Sequence, residues 1–120
     1  MKAEVLGFHS PDVYDLQSWS PPRADSFAFL VQVMVGPVGE RGEESFDVVV
    51  CTPQWLIETL GDEDLLVGRH HLIVKEYSFA RIEQFIRDYV NNSSGNTWEE
   101  IGERVGRLGK WEFEDYRESP

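Results

Sequence analysis

The sequence predicts an α+β fold: a mostly antiparallel four-stranded sheet packed with about three helices, in the order β-β-β-α-β-α-α. Three observations predict it. Alternating apolar runs dominate the chain before residue 52, and two of them flank a Gly- and charge-rich stretch suited to closing an antiparallel hairpin. A 3.6-residue period takes over at 79–90. Side chains able to cap a helix stand before each helical stretch, at Thr52, Ser78 and Thr97.

The first strand is expected from Lys2 to His9, ended by Pro11, which cannot continue a ladder. Val13, Leu16 and Trp19 then pin a Pro-rich loop to the body. In "SFAFLVQVMVG" one face carries Phe27, Phe29, Val31, Val33 and Val35 and the other Ala28, Leu30 and Met34. Two largely apolar faces predict a central strand covered on both sides. "PVGERGEE" turns the chain into "SFDVVVC", where Phe46, Val48 and Val50 share a face.

Thr52 caps the first helix and Pro53 takes its first position, where a missing N–H costs nothing. Gly61 is expected to end the helix. "GRHHLIVKEY" supplies the fourth strand. Ser78 opens a helix with Phe79, Ile82, Phe85, Ile86, Tyr89 and Val90 on its apolar positions, and "NNSSGN" breaks it. Thr97 and Glu100 form a capping box for the last helix, whose buried side is Trp98, Ile101, Val105 and Leu108 and whose stop is Gly109. The whole chain, 1–120, is expected to form one domain.

Composition narrows the function classes. There are 11 Lys and Arg against 22 Asp and Glu, a formal net charge of −11. Such a field repels nucleic-acid phosphates and anionic lipid surfaces and favours encounter with a cationic protein. One cysteine cannot form an internal disulfide, and the start of the chain lacks the apolar run of a signal peptide. A soluble cytoplasmic protein follows as the expectation.

No constellation of residues asks for a catalytic, metal or cofactor site. Cys51 lies at a strand-to-helix junction, where a helix dipole can activate a thiolate. A phosphatase loop would place Arg six residues later, but Ile57 stands there and Thr52-Pro53 leaves no room for an anion. A thiol hydrolase using Cys51 with His9, His70 or His71 stays as an alternative, as does a small-ligand or adaptor domain. His70 and His71 are neighbours that point apart in a strand and cannot chelate one ion together. Gly102 and Gly106 suit a close crossing over the sheet. "GPVGERG" lacks the lysine of a phosphate loop and carries acids.

Four stretches, "MKAEVLGFHSPD", "FDVVVCTPQWL", "HHLIVKEY" and "WEFEDY", resemble the immunity protein 8 family of bacterial polymorphic and contact-dependent toxin systems. The likeness runs over nearly the whole chain, and Val50-Cys51-Thr52-Pro53-x-Trp55-Leu56 is its most specific part. The resemblance implies an α+β antidote that binds and occludes a cognate toxin domain without catalysis of its own. It makes Cys51, Thr52, Pro53 and Trp55 a structural motif, with Trp55 and Leu56 expected to fill the core, and supplies no toxin-contacting residues. Charge and aromatic placement nominate those instead: Glu112, Glu114, Asp115 and Tyr116 near the end of the chain, and Asp62, Glu63 and Asp64 after the first helix. The partner expected is a basic toxin domain, with a nuclease as the natural example.

Overall fold

A computed structural model describes residues 1–115. The elements are β1 (Ala3–His9), β2 (Ala28–Pro37), β3 (Glu44–Cys51), α1 (Pro53–Glu63), β4 (His71–Ile73), α2 (Phe79–Asn91), α3 (Trp98–Val105) and β5 (Lys110–Trp111). The predicted class and order hold, with a short fifth strand added, and the sheet is mostly antiparallel as expected, made mixed by one parallel pair. β1, β2 and β3 run antiparallel in turn, whereas β4 pairs with β3 in parallel. The reason is α1, which acts as the crossover that parallel neighbours require. β5 pairs antiparallel with β3 at Phe46 and Asp47, while β4 pairs with it from Val49 to Cys51. With β2 on the other side of β3, the two short strands lie end to end along one edge.

The core is built on one face of that sheet. Phe29 faces Val50, Val31 faces Val48 and Val33 faces Phe46 across the β2–β3 ladder, and all six side chains are buried. Ile82, Ile86 and Val90 of α2, one turn apart from each other, join the same buried cluster. Ile101 and Val105 of α3 complete it. The opposite face fared differently from expectation: Ala28, Leu30, Gln32 and Met34 of β2 and Ser45, Asp47 and Val49 of β3 are all only half-buried. The helices that close the core, α2 and α3, add their buried residues to the first face alone.

α1 departs from expectation in two ways. Trp55 and Leu56 are half-buried rather than core residues, and no α1 side chain enters the buried cluster. The helix also continues through Gly61 to Glu63, and Asp64 closes it with a left-handed φ of 65°. Its start is as predicted: Thr52 Oγ1 accepts from the N–H of Trp55, and also from that of Phe27, both at 3.3 Å. Ser78 and Thr97 cap α2 and α3. In α3 the Glu100 carboxylate reaches back to the N–H of Asn96, one residue earlier than a capping box requires.

Small residues and one carboxylate hold the α3 side of the sheet. α3 stops at Gly106, not Gly109, and the next turn feeds β5. A Cβ at Gly109 would come within 2.7 Å of Val48, so the glycine lets the turn lie against β3. A Cβ at Gly102 would come within 2.7 Å of the Trp111 indole, which stacks on Phe46 at 6.1 Å. Glu44 Oε2 accepts from both Trp98 Nε1 at 2.8 Å and Trp111 Nε1 at 2.6 Å. One carboxylate oxygen thus joins the start of β3 to α3 and to β5.

At the free edge, Leu6 is an extra residue where the β1–β2 register shifts between Val5 and Gly7. Such a bulge discourages pairing with another chain. Arg87 covers this point by donating to Val5 O at 3.3 Å, with its guanidinium carbon 5.2 Å from the centre of the Phe8 ring.

Three substitutions test these contacts. Gly61, helical with open space around its Cβ position, is expected to gain about 0.5–1 kcal/mol on change to alanine. Gly102→Ala is expected to lose about 1–3 kcal/mol because the pinned indole cannot yield. Urea denaturation of both variants reads the opposite signs. Glu44→Ala strands two indole donors and is expected to cost about 2–4 kcal/mol, with a shift in tryptophan emission that Glu44→Gln largely avoids.

Candidate functional site

The strand-to-helix junction at Cys51 is a closed structure. The Cys51 side chain is 0% exposed, and burial pushes its thiol above the ordinary value. A thiol held away from water and protonated is the reverse of an activated nucleophile. Thr52, also fully buried, spends its hydroxyl on two backbone donors. The motif Cys51-Thr52-Pro53 therefore ends β3 and starts α1.

His70 and His71 each hold a backbone carbonyl. His70 is not in a strand: its φ is 64°, and its Nε2 lies 2.8 Å from Gly106 O and 3.4 Å from Glu114. His71 Nδ1 lies 2.9 Å from Arg69 O. Among the described residues no three His, Cys, Asp or Glu side chains are grouped so as to hold a metal ion.

The tail acids are partly committed to the fold. Glu112 Oε1 accepts from the Ser45 N–H at 2.8 Å, and the Glu112 N–H donates to Ser45 O at 3.1 Å, extending the β3–β5 pairing. Glu114 accepts from Arg69 at 2.7 Å, and its side chain is 18% exposed. Phe113 packs edge-on against Trp111. Asp115 is exposed with a φ of 60°, and Tyr116 lies outside the described residues.

The second acidic group sits differently. Asp62 falls within α1, Glu63 is its last residue, and Asp64 turns the chain with its N–H donating to Leu60 O at 2.9 Å. Glu63 and Asp64 are exposed, and so are hydrophobic neighbours that sequence patterning does not flag. Ile57 is 63% exposed, Leu65 74% and Val67 75%, with Leu60 and Leu66 less so. Leu65-Leu66-Val67 has no periodicity, and a short apolar run between a helix and a strand reads as buried until coordinates show otherwise. The only signal in the sequence is that a run of seven acids, with no Lys, Arg or His among them, spans 42–68. Arg69, directly after it, is the residue that Glu114 holds, so the tail meets the exit of this segment.

Glu58 fastens α1 to the loop before β2. Its carboxylate accepts from Ser26 at 2.9 Å and Gln54 at 3.2 Å and pairs with Arg23 at 3.0 Å. These contacts, the Ser26 hydrogen bond foremost, hold its pKa below the ordinary carboxylate value.

For a small ligand, the structure offers an open cleft of about 430 Å³ between β4 and α2, where Ile73 and Phe85 are 55% and 49% exposed. No helix among the described residues is long and apolar enough to cross a membrane.

The immunity protein 8 family matches residues 3–116 of the 120-residue chain. The chain belongs to the immunity protein 8 family. The match takes in all eight elements, so the family's defining region includes α1, the segment after it and the β5 tail. Comparison with curated proteins and with solved structures found no match.

Two outcomes test this description. Cys51 is expected to react with iodoacetamide at neutral pH orders of magnitude more slowly in the native protein than in urea; equal rates would reopen thiol chemistry. Ser26→Ala is expected to return the Glu58 titration towards the ordinary carboxylate range, followed by NMR of the side-chain carboxyl carbon. The sign is fixed: a depressed folded pKa stabilises the fold above the unfolded value, and that contribution fades as pH falls through the folded one.

Proposed function

We propose that this chain is an immunity protein that binds a cognate bacterial toxin domain and occludes it, with no catalysis of its own. The observation that carries the reading is the family match across residues 3–116. The buried Cys51 thiol, with its raised pKa, supports it against a thiol-dependent hydrolase. Occlusion asks only for a stable scaffold and a complementary surface.

The toxin domain is a basic one, and a nuclease fits because its active site must attract an anion. A net charge of −11 makes approach to such a surface fast and salt-sensitive. The residues proposed to steer it are Asp62, Glu63 and Asp64 with Asp115 and Tyr116; of these Glu63, Asp64 and Asp115 are exposed, and Tyr116 lies outside the described residues. Glu112 and Glu114, nominated with them, also bond Ser45 and Arg69.

The test is protection. Expression of the toxin domain encoded beside this chain's gene is expected to arrest cells, and co-expression of the chain to restore growth through a 1:1 complex. Between 50 and 500 mM salt the association rate is expected to fall about tenfold or more, with a smaller change in dissociation. Arrest that the chain does not relieve, with no complex on titration, would reject the reading.

A further inference from the structure

We infer that the segment 57–67, formed by the outer half of α1 and the turn after it, is the arm that seats in the toxin: its exposed aliphatic side chains anchor the complex and its carboxylates steer it. This rests on the toxin-binding reading above and adds to it the apolar contact surface.

Three observations converge on the arm. It carries Ile57, Leu60, Leu65, Leu66 and Val67, all at least 36% exposed, within eleven residues. Aliphatic side chains left in water are ordinary when scattered, but contiguous ones mark a contact surface. The arm is also unneeded by the core, to which α1 gives no side chain. And it is held in place from its base, by the Thr52 cap and by Glu58 on Ser26 and Arg23, so its shape is set before a partner arrives.

Charge selects the occupant. From 57 to 67 the chain has four acids and no cationic side chain; Glu58 is paired with Arg23, while Glu63 and Asp64 stand exposed among the aliphatic residues. A second copy placed on the arm about a two-fold axis would set these acids against their own images. Anionic lipid and nucleic acid are repelled by the same charges. What fits is a polypeptide surface with apolar pockets rimmed by Lys and Arg, which is what a basic toxin domain offers. The aliphatic anchors set residence time and the acids set encounter rate, because desolvated apolar contacts at an interface centre govern dissociation while charge governs approach.

The arm is tested with the purified toxin domain encoded beside this chain's gene, by surface plasmon resonance and sedimentation. Leu65→Ser with Val67→Ser, both side chains about three-quarters exposed, is expected to leave the melting temperature unchanged and to weaken binding about tenfold or more through faster dissociation. Glu63→Lys with Asp64→Asn is expected to slow association and flatten its salt dependence. Tyr14→Ser, at a fully exposed position on the β1–β2 loop, is expected to bind as the unaltered chain does. Unchanged affinity in the serine double variant, or a loss as large in the Tyr14 variant, would overturn the arm. So would an unliganded chain that is dimeric and becomes monomeric in the serine variant, since a second copy would then be the occupant. If the unaltered chain neither binds nor protects, the toxin-binding reading fails first.

Discussion

The structure depends on burial against one face of its sheet. Val31, Val33, Val35, Val48 and Val50 are at most 1% exposed, and α2 and α3 spend their apolar sides covering them. Burying an aliphatic side chain of this size is worth roughly 1.5–3 kcal/mol, so this layer is the main source of free energy against chain entropy. Each other feature answers to it. The β1–β2 loop sends Val13 and Leu16 under the same layer, and α1 is left as a crossover between parallel strands. A helix used as a connection has no obligation to bury its outer residues.

The aliphatic layer is closed on the α3 side by a polar contact, which is unusual in its economy. Glu44 is the first residue of β3, yet its carboxylate oxygen receives both indole N–H groups. Each tryptophan body packs against the core while its one donor is satisfied at the rim, as large amphipathic side chains require. The geometry also explains Gly102. With the Trp111 ring fixed between Phe46 and the carboxylate, nothing larger than hydrogen fits on the α3 backbone beneath it. Local choices far apart in sequence are mutually necessary here, which is how a short β5 pairing of two residues persists at all.

The sequence exposes the elements and conceals their sides. The three caps, the central hairpin and the period of α2 were legible because each depends on residues within one turn or one ladder. Orientation of β4 was not, because three residues of strand carry no mark of parallel pairing. The half-open sheet could have been read by weighing partners: Leu30 and Met34 suggest a second covered face, but Ser45, Asp47 and Gln32 beside them do not. Trp55 and Leu56 misled for a related reason, since an amphipathic helix announces an apolar side without saying how much of it is covered. For the candidate site, charge was legible and the exposure of its aliphatic residues was not. The acids at 62–64 appear in any charge count, whereas Leu65 and Val67 look like core residues until their exposure is known.

That separation of roles has a consequence for how such a protein can change. Side chains that stabilise the fold lie in the layer between the sheet and α2 and α3, and the arm shares none of them. Substituting an exposed aliphatic residue on the arm alters little burial, and such surface changes usually shift stability by no more than about 0.5 kcal/mol. The same substitution at the centre of an interface can cost more than 2 kcal/mol of binding. On the proposed toxin-binding reading, a scaffold built this way can track a changing partner surface through Ile57, Leu65 or Val67 without putting its fold at risk. A docking surface placed on Phe46 or Trp111 would have no such freedom, because every adjustment there would pass through Glu44 and Gly102.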